Sequence, residues 1–241
     1  MEPIGVIYLS ERTKNGSVNT KSTAQIKSVL ELPSPEFGFI MLPSDTGYSL
    51  ATVATHPDIY TYINPILNRN SVQISIAVSN EEMLKKFITS NPIATALLGE
   101  FSPGPITIVC KKETNIPSNY TEEVIKSYDE TIGVRIPDSL IEREISTIVG
   151  YPITTVAVRD NNNTIVQNFN DAIAIVKKGI SKLYKEKQKK ITWIAIEGGD
   201  FYKNHSTVVK INDNKSVTIL REGQITKEQI DELVTQITNK K

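Results

Sequence analysis

The chain has 241 residues, long enough for one large domain, or a domain with a small appendage, around a real hydrophobic core. Its 27 Lys+Arg balance its 27 Asp+Glu, which excludes a global field for nucleic acid or an anionic membrane and leaves room only for a local basic patch. A single cysteine, Cys110, excludes an internal disulfide and a multi-thiolate metal centre, and two histidines without HxxxH or CxxC spacing give no basis for structural zinc.

Met1 to Leu9 contains Glu2 and Pro3 and lacks the basic start and long apolar core of a secretion signal. No stretch approaches ~18 apolar residues, so a cytoplasmic protein without a membrane span is expected. Ile4–Ser10 reads as a strand and Arg12–Asn19 as a polar loop. Ser22 or Thr23 suits the cap of a helix running to Leu30, ended by Pro33 and Pro35. Phe37–Leu42 is an apolar run with a buried-strand pattern. Asp58–Leu67 is a short helix begun by Pro57, and Val72–Val78 a strand. Glu81–Thr89 and Ile93–Phe101 are helical. Ile106–Lys111 and Thr131–Ile136 are strands around a long polar connection, and Cys110 reads there as a small buried hydrophobe. Leu140–Val149 is a helix stopped by Gly150, and Ile153–Val158 a β-branched strand. Asp171–Lys190 is helical, with Trp193 after it read as core. Thr192–Ile196, Ser206–Ile211 and Val217–Leu220 are strands, and Thr226–Asn239 is an amphipathic helix carrying Ile230, Leu233, Val234 and Ile237 on one side. The irregular interleaving predicts an α/β sandwich around a twisted mixed sheet. The expected division is a body over residues 1–225 and a final helix over 226–241, docked on the body or on a second copy of the chain.

Three segments place small or rigid residues and a few polar groups beside apolar runs. They are Pro43-Ser44-Asp45-Thr46-Gly47-Tyr48, Ser102-Pro103-Gly104-Pro105-Ile106-Thr107 and Thr131-Ile132-Gly133-Val134-Arg135-Ile136-Pro137. Loops of this kind at strand ends present backbone N–H groups and hydroxyls to anions. Asp45 suits either a ligand contact or a local cap. Arg135, inside an apolar strand, needs a partner: an anionic ligand, Asp45 or Asp138. The Ser102–Pro105 turn reads as shape rather than chemistry. Ser206 and Thr207 open a strand and suit bonding to its own backbone, and His205 beside them suits solvent.

Together the three segments resemble the YrdC/YciO family, in which they match P-[ST]-[DE]-[ST]-x-Y, PGP-[ILV]-T and G-[VM]-R-[IV]-P. His205-Ser206-Thr207-Val208-Val209 and Leu220-Arg221-Glu222-Gly223 resemble two further family pieces, and the likeness runs from about Thr20 to Gly223. Asp45-Thr46-Gly47-Tyr48 and Arg221-Glu222-Gly223 are more similar to the YciO branch. The resemblance implies a YrdC-like fold with a concave pocket and a relative of the enzymes that make threonylcarbamoyl-adenylate from threonine, bicarbonate and ATP for tRNA modification. It implies amino-acid binding by Ser44, Asp45, Thr46, Tyr48 and Arg135. Nucleotide binding is implied for Arg69, Arg159, Ser206, Thr207 and Arg221, with Mg accompanying ATP or an adenylate. It assigns no covalent catalyst and no protein-held metal.

The family's K-x-R pair falls at Leu67-Asn68-Arg69, where only the arginine remains, and its S-x-N pair at Ala157-Val158-Arg159, where both groups are replaced. Two expected glycines are Ser49 and Ala51, and a histidine that often helps hold the amino acid is Ala77. Each lost contact to a charged group represents ~1.5–3 kcal/mol, so weak or altered synthesis is expected. The alternative is a non-catalytic module that binds nucleotide or double-stranded RNA. For RNA the candidate is Lys177–Lys190, with seven lysines in fourteen residues, a segment that also suits a solvated helix face. A monomer or homodimer is expected.

Overall fold

A computed structural model describes residues 2–8, 20–34, 36–70, 74–116, 130–187, 191–198, 201, 205–214 and 216–239. The expected loop Arg12–Asn19, the middle of the polar connection before Thr131, and Lys189 and Lys190 at the end of the lysine-rich segment lie outside the described residues.

The described strands are β1 (Gly5–Tyr8), β2 (Phe37–Pro43), β3 (Tyr48–Val53), β4 (Ile76–Ala77), β5 (Ile106–Lys111), β6 (Thr131–Arg135), β7 (Ile153–Ala157), β8 (Ile191–Glu197), β9 (Thr207–Ile211) and β10 (Val217–Arg221). They form one mixed sheet in the order β1-β8-β2-β3-β7-β4-β6-β5-β9-β10. The described helices are α1 (Thr20–Leu30), α2 (Ile59–Ile66), α3 (Glu81–Leu84), α4 (Pro92–Phe101), α5 (Leu140–Val149), α6 (Phe169–Lys187) and α7 (Lys227–Thr238).

Helices cover both faces, giving the expected α/β sandwich. The larger core packs Phe37, Phe39, Leu50, Val134 and Trp193 of the sheet against α2, α4, α6 and Ile230 of α7. The smaller packs Ile40, Leu42, Ala51, Val53, Ile153 and Ile194 against Ile26, Val29 and Leu30 of α1 and Ile141, Ile145 and Val149 of α5. Because both faces are covered, β2 and β3 are buried at every position. A strand buried on both sides reads as a continuous apolar run instead of an alternation.

Local chemistry sets the helix ends. Ser139 accepts a bond from the Glu142 N–H at the start of α5, and Gly150 closes that helix in the left-handed region, φ 73°. Thr226 and Gln229 form a reciprocal capping box on α7. Ile230 is fully buried, and Leu233 and Val234 pack half-buried on the larger core. Among the described residues no helix is long and apolar enough to cross a membrane.

Four expectations are corrected. Tyr48–Val53 is a strand where none was anticipated. The strand expected over Val72–Val78 reduces, in its described part, to Ile76–Ala77, because Asn80 caps α3 two residues after Val78. The helix expected over Glu81–Thr89 stops at Leu84; Ile88 bridges to Lys112, and the Thr89 N–H donates to Lys111 O at 3.0 Å. α1 begins at Thr20, so Ser22 and Thr23 lie inside it.

Candidate functional site

The first motif forms a tight turn between two paired strands. Pro43 pairs with Tyr48 at the base of the β2–β3 hairpin. The Ser44 N–H and hydroxyl both donate to Gly47 O, at 2.9 and 2.7 Å. Gly47 has φ 153°, and a Cβ there would sit 2.3 Å from Ile165 Cγ2. Only glycine fits that conformation and approach. The turn is therefore held tightly, with Ser44, Thr46 and Ser49 clustered: Ser44 Oγ lies 3.3 Å from Thr46 Oγ1 and accepts from Ser49 Oγ at 3.4 Å.

Strand alternation then decides which side chains meet these hydroxyls. Leu50, Val134, Ile108 and Val209 enter the larger core. Their neighbours Ser49, Arg135, Thr107 and Val208 therefore point to the opposite face, the one α1 and α5 cover in part. Where the smaller core ends, that face is open. A cavity of about 530 Å³ lies there, lined from β3, β5, β6, β7, β9 and β10. Arg69 just after α2, Arg159 after β7 and Arg221 at the end of β10 complete its wall.

Thr46, Arg69, Arg135, Arg159 and Ser206, drawn from five separate parts of the sequence, share this cavity with Ser44 and Arg221. Asp45 lies beneath it, 2% exposed, paired with Arg135 through Nη2 and Oδ2 and accepting the Asp138 N–H at 3.2 Å. Of the partners left open for Arg135, the structure supplies Asp45. Tyr48 and Thr207 lie outside the lining. The Tyr48 hydroxyl meets the Gly198 backbone and its ring packs on Phe169 and Phe201. Thr207 Oγ1 donates to Ile225 O at 2.6 Å and accepts the Gly223 and Ile225 N–H groups, a structural role that stitches β9 to the segment before α7. Ser75, Thr155 and Asn163 also line the cavity and were not singled out from sequence; Thr107, the last residue of the second segment, lines it too. Leu67, at the lost lysine position, packs on the larger core instead.

Positive charge dominates the wall: among the described residues four arginines line it and no carboxylate does. Burial lowers the affinity of Arg69 for its proton, and nearby Arg159 adds to the effect. Arg221 is lowered by burial and by Arg159, Arg135 and Arg69. Its Nε and Nη2 donate to Ser206 O and Oγ at 3.1 and 2.9 Å, and Arg159 Nη1 donates to Asn163 O at 2.7 Å. His205 is lowered by burial and by Arg159 and Arg221, so it is neutral at pH 7. Arg135 differs. Burial opposes its charge, but Asp45 and Glu142 outweigh burial and hold it above the ordinary range. Guanidinium groups held together with little counter-charge form a site that an anion relieves. Cys110 is remote from this chemistry; burial pushes its thiol up to about 12.

Residues 37–223 match the Sua5/YciO/YrdC family profile, described as "Telomere recombination". A Methanocaldococcus jannaschii protein named "Putative threonylcarbamoyl-AMP synthase" is 30% identical over 203 residues, covering 83% of this chain and 87% of that one. The structure of P. abyssi Sua5 complexed with L-threonine shares the fold with a TM-score of 0.70 at 20% identity, over 95% of this chain. This chain spans 60% of that Sua5 chain's length. E. coli YciO shares the fold with a TM-score of 0.62 at 17% identity, over 92% of this chain and 97% of YciO.

Proposed function

The chain belongs to the Sua5/YciO/YrdC family, and from that premise we propose that its cavity binds the phosphate end of an adenylate, ATP or an acyl-adenylate, in threonylcarbamoyl chemistry with weak or altered synthesis. The observation that carries this reading is the cavity wall itself, where four arginines gather with no carboxylate among the described lining residues. Arg69, Arg159 and Arg221 hold the phosphates, with Ser206 donating from the strand start. Ser44, Thr46 and Ser49 offer hydroxyls to the amino-acid part, a reading in keeping with a fold relative, P. abyssi Sua5, that was crystallised with L-threonine. The chain's contribution is positioning and charge stabilisation, with no covalent step.

Synthesis is weakened because the groups that would tighten on the transferring phosphate are absent. Leu67 faces the core, and Ala157 lines the cavity without a hydroxyl. Arg159 reaches the same space and substitutes for binding but not for the lost geometry, and binding without differential stabilisation does not accelerate a reaction. Among the described residues, magnesium accompanying ATP finds no carboxylate in the lining and no cluster of three metal-ligating side chains. The donor set does not fit a protein-held Mg ion.

The test is a calorimetric titration with ATP, AMP and a short duplex RNA. Adenylate binding that is lost in the double variant Arg69→Ala/Arg159→Ala is the expected result. RNA binding without nucleotide binding would overturn it in favour of a non-catalytic RNA module.

A further inference from the structure

We propose that Glu142 sets the charge of the cavity floor: it is a second buried acid near the Asp45–Arg135 pair which, when ionised, gives that otherwise neutral floor a net negative charge and leaves anion binding to Arg69, Arg159 and Arg221. The proposal rests on the adenylate reading of the cavity.

Glu142 lies in the first turn of α5 and is 0% exposed. The segment that carries it is tied to the first motif at several points. The Asp138 N–H donates to Asp45 Oδ2, Ser139 Oγ donates to Pro43 O at 3.3 Å, and the Glu142 N–H donates to Ser139 Oγ. Neither carboxylate oxygen of Glu142 completes a hydrogen bond; nor do Asp45 Oδ1 and Arg135 Nε. The Thr155 hydroxyl and the Asp45 N–H favour the ionised form of Glu142 without reaching full bonding geometry. A buried, unbonded acid is a costly way to fill space beside Ile141 and Ile145, where an apolar side chain would pack without that cost.

The charge count explains what the acid does. Asp45 and Arg135 cancel. A protonated Glu142 leaves the floor neutral, and an ionised one leaves it with one net negative charge beneath the arginine wall. Burial raises the Glu142 carboxyl to about 7, with Asp45 reinforcing and Arg135 opposing the rise. The charged groups acting on it are Arg135 from β6 and Asp45 from the β2–β3 turn; Thr155 of β7 is uncharged. The floor therefore changes charge near neutrality and repels an anion more strongly as pH rises.

Glu142→Gln tests this, because Gln mimics the protonated acid at every pH. AMP affinity is measured by calorimetry for both proteins at pH 5.5 and 8.5. The titration of AMP and of His205 is common to both proteins and cancels in the ratio. The two affinities should agree at pH 5.5, and E142Q should bind about three- to tenfold tighter at pH 8.5. A ratio unchanged between the two pH values would overturn the proposal. Failure of the unaltered chain to bind AMP at all would instead sink the adenylate reading. The Glu142 assignment then rests on stability: E142Q, or Glu142→Leu should E142Q not fold, should gain on the unaltered chain between those pH values. Parallel stability curves would overturn it.

Discussion

Arg135 and Arg159 line the same cavity, yet their loss should register in different measurements. Arg135 is 7% exposed and pairs with the buried Asp45. Arg135→Ala leaves that carboxylate uncompensated and should lower stability by about 3–5 kcal/mol in urea unfolding; a loss below ~1 kcal/mol would contradict the buried-pair account. Arg159 is only half-buried and bonded to the Asn163 carbonyl. Arg159→Ala should leave unfolding nearly unchanged and weaken AMP binding by about tenfold. Glu142 adds a pH dependence whose sign follows from its raised carboxyl. The folded chain retains that proton above the ordinary carboxylate range, so this residue's contribution to stability falls as pH rises from about 4.5 to about 7 and is then constant. Glu142→Gln should remove that decline, a gain on the order of 1–3 kcal/mol at pH 8. Arg135 was legible in the sequence because a guanidinium within an apolar strand requires a partner. Ser75 and Thr155 were not, because single hydroxyls outside the motifs look ordinary until alternation is known to align them. Glu142 was hidden by its position, since an acid in a helix's first turn is the usual complement to the helix dipole.

At the scale of elements, the end of α5 at Gly150 and the start of α7 at Thr226 were readable, while the start of α1 and the end of α3 were not. Ser139, Gly150 and Thr226 each act through a local bond that needs no tertiary partner. β3 was missed for the opposite reason: burial on both faces removes the period that marks a strand. The hairpin that contains it depends on Gly47. Gly47→Ala should distort the turn and reduce AMP binding together with stability, because the added carbon meets Ile165; an unchanged melting temperature would argue against the tight turn. α7 was legible as amphipathic, but the surface it covers was not. It meets α4, and its Ile230 is fully buried in the larger core. Ile230→Ala should cost about 2–5 kcal/mol, and removal of residues 226–241 should lower the melting temperature. A truncated chain that melts with the intact one would dispose of this packing account.

For the whole molecule, the described helices leave one part of one face of the sheet uncovered. α1 and α5 fill the smaller core over β2, β3 and β8, and the sheet continues past them toward β9. There the alternating positions change from apolar residues to hydroxyls and arginines, so the same strands build core and site. The family motifs were readable because they occupy the turns and strand ends that must meet at this opening. The departure from the family's donor set was readable because Leu67 and Ala157 cannot donate to a phosphate, whatever the fold. The most direct measurement is steady-state pyrophosphate release with threonine, bicarbonate and ATP, run beside a synthase that carries the full set of phosphate-binding groups. Little or no release is expected from a chain that nonetheless binds AMP. A rate within about tenfold of the control would contradict the account and mean that Arg69 and Arg159 rebuild the grip by another route.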